Sequence, residues 1–263
     1  RLSPRSEKRF RMARAFTATF FNQLDLITLT DPEDQARWVS LGVSPSLLKL
    51  TGNIKHDTPV LESSSAKGDL ALLAASTHAG EEKEVAAAWL ILRTDFSNLR
   101  LVITPRHVER RTEIRNNLRE LGTTCRLRSE GANLSEEPLL LDTTGELSSW
   151  YPRATIVFVG KSLPNSVNKG GQNMIEPVQA GAPVLIGPHT GNFEPLATRL
   201  CKAGAAIRVT DTNEIVAAVR SLLGNEGKRA TMITAATDVL KPHQGSTERN
   251  CKLVESQLSS LQS

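Results

Sequence analysis

Residues 168–193, NKGGQNMIEPVQAGAPVLIGPHTGNF, contain the signature of a parallel α/β fold in one short stretch. Gly170 and Gly171 precede one helix-length segment, and the Gly-Pro-His-Thr-Gly run at 187–191 precedes another. The apolar run between them, PVLIGP at 183–188, has the length and composition of a buried strand. A helix that begins after a glycine-rich turn favours an anion, because its first N–H groups and its dipole face the turn. The stretch therefore predicts an anion site.

The same alternation of apolar runs and helix-length segments extends outward over most of the chain. Buried strands are predicted at 70–77, 99–106, 124–129, 138–142, 155–160, 183–188 and 205–209. Helices are predicted at 80–94, 107–121, 171–181, 191–203 and 212–223. Strands that alternate with helices form a mainly parallel sheet with helices on both faces, so the predicted fold class is α/β and Rossmann-like.

The residues before 70 form a separate pattern of strand, helix at 32–41 and a second strand that ends near Leu50. Pro59 and a serine run then give residues 54–69 the composition of a linker. We therefore expect residues 1–53 to be the end of an N-terminal α/β domain, with a linker at 54–69. A donor domain would follow at 70–240 and a C-terminal helix at 241–263. The chain starts at Arg1 without a methionine, so we expect further residues upstream.

Composition excludes several classes of protein. The chain has 263 residues, 39% of them hydrophobic and 23% charged, with a net charge of +4, which is typical of a globular protein. Three dispersed cysteines indicate reduced intracellular thiols rather than disulfides or a zinc site. Neither an apolar run of membrane-spanning length nor a signal peptide is present in these residues. Few aromatic residues (4%) argue against nucleic-acid binding.

The first fourteen residues, RLSPRSEKRFRMAR, contain six Lys or Arg and are followed by the aromatic run AFTATFF. This pattern is typical of a basic amphipathic segment that lies against an anionic surface. It equally fits a solvated helix face beside buried aromatic residues.

Polar or glycine-rich turns follow five of the predicted strands, and ligands of such sheets bind beyond the carboxyl ends of the strands. Ser76 and Thr77 offer hydroxyl donors after the first strand, although they could equally cap the next helix. Arg106 follows the second strand, where a guanidinium binds phosphate or carboxylate with paired hydrogen bonds; the alternative is a surface salt bridge.

Two glutamates have both a binding and a structural interpretation. Glu146 could close a capping box with Asp142 or Thr143, or could lie beside a nucleobase. Glu176, about two turns into the helix predicted after Gly171, could accept hydrogen bonds from a ribose diol or could be an exposed helical residue.

Common catalytic motifs are absent from the sequence. It has no P-loop, no G-x-S-x-G elbow, no H-E-x-x-H and no G-x-G-x-x-G in its first unit. No cluster of acidic residues, histidines or cysteines predicts a metal, so Arg, Lys and helix ends would stabilise the charge of a leaving phosphate. The sequence predicts neither a metal nor another cofactor.

Six motifs occur in order: TGNIKHD, ASTHAGEE, ITPRHVER, LLLDTTGEL, VFVGKSLPNSVNKGGQNMIEP and GAPVLIGPHTGNF. Together they resemble the 3-deoxy-D-manno-octulosonic acid (Kdo) transferases of lipopolysaccharide biosynthesis, over about residues 1–250. The resemblance implies the GT-B architecture and transfer of Kdo from CMP-Kdo to a lipid A precursor, with inversion and without a metal. It also implies work at the cytoplasmic face of the inner membrane by the intact enzyme, while the chain by itself would be soluble.

The resemblance assigns roles to matching positions. Pro105 and Arg106 would meet the CMP phosphate, and Thr144, Gly145 and Glu146 would surround the cytosine. Asn173 would lie at the phosphate and Kdo end, and Glu176 would hold the ribose. The donor site would be completed by Ser76, Thr77, Gly80, Lys169, Gly170, Gly171 and Asn192.

The sequence departs from the family at Gln172, where GGQN replaces the usual GGHN, so a role that requires a proton at that position is not expected here. In this family the acceptor site and the carboxylate proposed as general base belong to the N-terminal domain, of which residues 1–53 are only the end. The catalytic base is therefore expected upstream of Arg1, and we expect this chain to bind the donor without catalysing transfer alone. Another GT-B enzyme or epimerase, or a non-catalytic nucleotide-binding module, remains an alternative.

Overall fold

The computed structural model describes residue 2, residues 4–57 and residues 70–261. Its α-helices are Pro4–Met12 (α1), Arg14–Phe21 (α2), Pro32–Ser40 (α3), Glu81–Leu92 (α4), Arg111–Glu120 (α5), Leu147–Trp150 (α6), Ile175–Gln179 (α7), Leu196–Lys202 (α8), Thr212–Leu223 (α9), Glu226–Leu240 (α10) and Ser246–Leu261 (α11). Its strands are Ile27–Leu29 (β1), Leu48–Leu50 (β2), Leu70–Thr77 (β3), Leu99–Pro105 (β4), Arg126–Leu127 (β5), Leu139–Leu140 (β6), Ile156–Val159 (β7), Val184–Ile186 (β8) and Ala206–Arg208 (β9). Single 3₁₀ turns lie at Pro45–Leu47, Ile54–His56, Val108–Arg110, Arg128–Glu130, Tyr151–Arg153 and Lys241–His243.

Seven strands form one parallel sheet in the order β5-β6-β4-β3-β7-β8-β9. The central strand β3 pairs with β4 on one side and with β7 on the other, so that Leu72 lies opposite both Leu101 and Ile156. These apolar residues are buried, as expected of strands covered by helices on both faces. The mainly parallel sheet predicted from the sequence is confirmed.

The core of this sheet is formed by strand residues and by helices α4, α5 and α9. Trp89 and Phe158 are its largest fully buried side chains, and the Trp89 indole N–H donates to the Leu99 carbonyl at 3.0 Å. Because the polar atom of the ring is satisfied, the indole can pack in the core without an unpaired donor. The core thereby fixes the strands whose carboxyl ends carry the predicted site.

The chain divides into two compact units, one made of Arg1–Pro59 with Leu240–Ser263 and the other of Val60–Val239. In the first unit β1 and β2 form a parallel pair, and α3 packs on it through Trp38. Phe21 lies edge-on to the Trp38 ring, with ring centroids 4.6 Å apart. Of the linker predicted at 54–69, residues 58–69 lie outside the described residues.

The first unit joins residues from both ends of the sequence. The Asp57 carboxylate accepts hydrogen bonds from the backbone N–H groups of Gly245 and Thr247, each at 2.7 Å. The Arg249 guanidinium donates to the Thr51 carbonyl at 2.9 Å. The segment at the start of α11 is thus bound to residues that precede the large sheet.

Candidate functional site

The point at which successive strands switch from one side of β3 to the other defines where a ligand would bind. After β3 the chain builds β4, β5 and β6 on one side and then crosses to β7 on the other side. A parallel sheet opens a crevice at such a switch point, outside the carboxyl ends of the two strands. The turns that follow β3 and β7 therefore form the centre of the candidate site.

The turn after β3 is strained and tightly packed. Ser76 has a φ of 52°, and the pairing with β4 shifts register between Ala75 and Thr77. Gly80 has a φ of 97°, and a Cβ there would lie 2.5 Å from the Asn165 carbonyl oxygen. Of the predicted site residues, Ser76 and Thr77 are the last two residues of β3, and Gly80 is the N-cap of α4. Thr77 is fully buried, whereas Ser76 and Gly80 are partly exposed.

A buried carboxylate connects the two central turns. Glu81, the first residue of α4, is fully buried, and its oxygens accept backbone N–H groups at 2.6–3.0 Å. One donor lies in the turn after β3 and three lie in the turn after β7; the donors are His78, Lys161, Ser162 and Leu163. Burial raises the pKa of Glu81, and the four N–H groups oppose that rise.

Arg106 lies where the sequence predicts it, directly after β4. Its backbone N–H donates to the Thr77 carbonyl at 2.9 Å, which continues the pairing of Pro105 with Thr77. Its side chain is exposed, and none of the described residues forms an ion pair with it. Arg110, four residues on, instead contacts both oxygens of the buried Glu82 at 2.7 and 3.2 Å. The two arginines therefore differ, since only the charge of Arg106 is available to a ligand.

The glycine loop before α7 corrects one prediction. The helix begins at Ile175 rather than near residue 171, so Gly170 and Gly171 do not lie at a helix N-terminus. Both glycines have positive φ, 131° and 76°, a conformation that favours residues without a Cβ. The Gly171 N–H donates to the Lys161 carbonyl at 2.8 Å, and the Gly170 carbonyl accepts from the Asn192 N–H at 2.8 Å. The loop is thus held between the turns after β7 and β8.

Glu176 also lies elsewhere than predicted, because it is the second residue of α7 rather than two turns into a helix. Its carboxylate accepts from the Asn173 amide at 2.6 Å, while the Asn173 side-chain oxygen accepts from the Ile175 N–H at 3.0 Å. Burial raises the pKa of the neighbouring Tyr151, and the Glu176 charge adds to the rise. The structure therefore brings the predicted residues Asn173 and Glu176 into direct contact.

The turn after β6 contains the predicted residues Thr144, Gly145 and Glu146, of which the first two are exposed. The capping-box interpretation is wrong, because Glu146 is itself the N-cap of α6 and no side chain caps that helix. Instead the Glu146 carboxylate accepts from the Thr143 hydroxyl at 2.7 Å and from Arg128 at 2.9 Å. Both contacts lower the pKa of Glu146. The group is therefore an ionised acceptor near the exposed turn.

The turn after β8 is held by an ion pair at its base. Arg208, at the end of β9, donates to the Pro188 carbonyl at 3.2 Å and to the Glu194 carboxylate at 3.1 Å. Glu194 also accepts from the Thr190 hydroxyl at 2.6 Å. Asn192, a predicted site residue, then contacts both glycines of the preceding loop.

The histidine of the central turn is held in its neutral form. His78 is buried, and its two ring nitrogens lie 3.1 and 3.3 Å from the side-chain amides of Gln172 and Asn168. Burial lowers the pKa of His78 to about 4, and nearby positive charges, Lys161 first among them, lower it further. His78 therefore adds no positive charge to this region at neutral pH, where Arg106 and Lys161 do.

Sequence reasoning missed Glu81 and Lys161. Glu81 resembles an ordinary acidic residue in the first turn of a helix, beside Glu82 and Glu84. A signal for Lys161 exists in the sequence, since it follows Gly160 directly after a strand, in the same position as the other predicted turns. Together, Arg106, Lys161 and Lys169 place three cations without an acidic partner among the described residues at one sheet edge.

No group of three or more His, Cys, Asp or Glu residues in the described part of the chain could hold a metal ion. Within the same residues, no helix is both long enough and apolar enough to cross a membrane.

A parallel α/β sheet with unpaired cations along its carboxyl edge defines a protein suited to an anionic ligand such as a nucleotide. The comparisons with known proteins are more specific. A family model described as 3-Deoxy-D-manno-octulosonic-acid transferase (kdotransferase) matches residues 1–58. The chain is 31% identical to the 3-deoxy-D-manno-octulosonic acid transferase of Haemophilus influenzae, over 97% of this chain and 62% of that protein. It is 32% identical to the Bordetella pertussis transferase, over 88% of this chain and 56% of the relative.

A solved structure supports the same resemblance. The C-terminal CMP-Kdo binding domain of WaaA from Acinetobacter baumannii matches with a TM-score of 0.61 and 28% identity, over 66% of this chain and 90% of that domain. The resemblance to Kdo transferases and the α/β fold class of the GT-B type are therefore confirmed. The chain spans less than two thirds of the length of the two relatives described.

Proposed function

We propose that this chain binds CMP-Kdo at the carboxyl edge of its seven-stranded sheet and is the donor-binding part of a Kdo transferase. The observation that carries the proposal is the group of unpaired cations at that edge, Arg106 above all. The similarity to a CMP-Kdo binding domain supports the identity of the ligand. The donor would be transferred to a lipid A precursor.

Arg106 and the glycine loop would stabilise the leaving group. When the bond between the Kdo anomeric carbon and the phosphate oxygen breaks, CMP gains negative charge on its phosphate. A guanidinium already positioned there stabilises that charge more in the transition state than in the bound donor. The Gly170 N–H would supply a further donor, whereas the Gly171 N–H already donates to the Lys161 carbonyl.

Glu146 would select the base, together with Thr144 and Gly145. Its carboxylate, kept ionised by Thr143 and Arg128, is an acceptor that suits the 4-amino group of cytosine. Uracil presents a carbonyl oxygen at that position, and the carboxylate would repel it. Asn173 and Glu176 would meet the ribose and phosphate from the other side of the crevice.

The first two helices and the bend after them would bring the protein to the membrane. Met12, Phe16, Phe20 and Leu24, here called the apolar stripe, recur every four residues and are 43–84% exposed. Exposed basic residues lie in the same segment: Lys8, Arg9, Arg11 and Arg14. Aromatic and aliphatic side chains beside cations suit an anionic lipid surface. This agrees with an acceptor that is a lipid.

Titration calorimetry with CMP, UMP and UDP tests the proposal. We expect CMP to bind at least tenfold more tightly than UMP, since an amino group is exchanged for an oxygen that faces a carboxylate. Arg106→Ala should weaken CMP binding by about tenfold or more, because a charge-assisted contact is lost. The matched control is Arg119→Ala, an arginine in the last turn of α5, which should leave the affinity unchanged.

Equal affinity for CMP and UMP would contradict the cytosine site. Tighter binding of UDP than of CMP would favour a different nucleotide-sugar enzyme.

A further inference from the structure

Lys161 is a lysine in a backbone conformation that favours glycine. Its φ is 61°, and Ser76 is the other non-glycine residue with positive φ in the described part of the chain. Lys161 follows β7, and Ser76 is the penultimate residue of the neighbouring strand β3, so both lie at the switch point of the sheet. A side chain in this conformation costs stability, because its Cβ crowds the backbone. A lysine kept at such a position needs a reason that lies in its side chain.

The backbone of Lys161 supplies no such reason. Its N–H donates to Glu81 at 2.6 Å, and its carbonyl accepts from the Gly171 N–H at 2.8 Å. Glycine could make both hydrogen bonds without strain. The hydrogen bonds that the Lys161 backbone makes with Glu81 and Gly171 therefore do not require a lysine side chain.

The ammonium group of Lys161 has no ion-pair partner among the described residues. The side chain is partly buried, unlike the exposed Lys169 on the glycine loop. Its charge reaches the ring of His78, which in turn contacts Gln172 of that loop. His78 and Gln172 are both uncharged, and Lys161 has the largest effect on His78 of the positive charges around it.

Two unpaired cations thus flank the central strand from opposite sides. Arg106 follows β4 and Lys161 follows β7, and β3 lies between these two strands. Neighbouring strands are about 4.8 Å apart, so the two residues start about 10 Å from each other, a gap that two long side chains can close. This is an arrangement for a ligand with two separate anionic groups.

We propose that Lys161 is a specificity-determining residue that binds the carboxylate of an acidic sugar while Arg106 binds the phosphate of the nucleotide. The assignment rests on the proposed function, because the donor CMP-Kdo carries both anions, a phosphodiester and the carboxylate of its sugar. CMP alone carries only the phosphate. Lys161 therefore distinguishes the complete donor from the nucleotide product.

The test compares the affinities of CMP-Kdo and CMP in matched variants, measured by titration calorimetry. Lys161→Gln should weaken CMP-Kdo binding by about tenfold, the value of one charge-assisted contact, and change CMP binding less than twofold. Arg106→Ala should weaken the binding of both ligands. Lys202→Gln, at the end of α8, is the control that removes a lysine elsewhere and should change neither.

A second variant separates binding from folding. Lys161→Gly removes the strain together with the ammonium, so its melting temperature should rise while its preference for CMP-Kdo over CMP falls as in Lys161→Gln. A purely structural role would not lower the preference while the fold becomes more stable.

The possible results are distinct. If wild-type protein binds CMP-Kdo and Lys161→Gln retains the wild-type ratio of affinities, the assignment of Lys161 is overturned and the proposed function stands. The same holds if Lys161→Gln weakens both ligands equally. If wild-type protein does not bind CMP-Kdo, the proposed function fails and the assignment fails with it.

Discussion

At the scale of single residues, Glu81 is central because one side chain orders two turns of the candidate site. Its carboxylate satisfies four backbone N–H groups that would otherwise be buried without partners. Only a group with two acceptor oxygens fits four donors. An amide offers one oxygen, and its NH₂ group would face N–H donors.

We therefore expect Glu81→Gln to lower the free energy of unfolding by about 3 kcal/mol, since two buried donors lose their acceptor. Urea denaturation followed by circular dichroism measures this change. Because the turns after β3 and β7 both loosen, CMP binding should weaken as well. Glu120→Gln, which removes an exposed carboxylate paired with Lys83, is the matched control and should cost less than 1 kcal/mol.

A result in which Glu81→Gln unfolds at the wild-type urea concentration would contradict this role of the carboxylate.

A residue of the site could be predicted where its neighbours in the sequence indicate its position, and not where its contacts are distant in the sequence. Arg106 could be placed because a polar residue directly after a buried strand lies at the carboxyl edge of the sheet. Glu81 could not, because three of its four donors lie about eighty residues away in sequence. Lys161 follows its strand in the same way, but the positive φ that distinguishes it cannot be derived from the identity of a lysine.

At the scale of elements, α7 shows how a helix start can be misjudged. The apolar pattern extends over 171–181, but Pro177 is accepted only within the first turn of a helix. It is the third residue of the observed helix Ile175–Gln179, whereas a start at 171 would have placed it in the interior. The later start of α7 could therefore have been predicted from the sequence, because Pro177 requires the helix to begin within the few residues before it.

The apolar stripe, which runs from the end of α1 through α2 to Leu24, leads to a prediction about membranes. Replacing Phe16 and Phe20 with alanine should reduce binding to vesicles that contain anionic phospholipid by about tenfold or more, because two exposed rings leave the interface. Vesicle sedimentation measures the bound fraction. Vesicles of phosphatidylcholine alone should bind weakly, since the cations of this segment then lack a partner.

Val254 and Leu258 on α11 provide the matched control, because they are a similarly spaced and exposed apolar pair. Their replacement with alanine should leave vesicle binding unchanged. Equal loss in both double variants would show that the apolar stripe has no special role.

At the scale of the whole molecule, the alternation of strands and helices predicted a parallel sheet but could not predict its order. Leu72 and Ile156 are paired although they are 84 positions apart, and several strand orders satisfy the same alternation. The sequence also could not predict that residues from both ends of the chain pack into one compact unit. It depends on hydrogen bonds between residues such as Asp57 and Thr247, which carry no local sequence signature.

These contacts lead to a prediction for the C-terminal helix. The Thr247 N–H is the main cause that lowers the pKa of Asp57 from its ordinary value of 3.8. A folded-state pKa below the unfolded one means that the contribution to stability is present above about pH 4 and is lost as the pH falls further. Asp57→Asn should remove it at neutral pH, at a cost of about 1 kcal/mol, as for the loss of a helix cap. Faster hydrogen exchange in the first turn of α11 would report this loss.

Asp211→Asn is the matched variant, because Asp211 accepts from the Glu214 N–H at 2.9 Å and caps α9 in the other compact unit. It should speed exchange at the start of α9 and leave α11 unchanged, whereas Asp57→Asn should do the reverse. Since each carboxylate stabilises the helix start that it contacts, the two effects should remain separate. Unchanged exchange of α11 in Asp57→Asn at neutral pH would mean that Asp57 does not hold the C-terminal helix in the first unit.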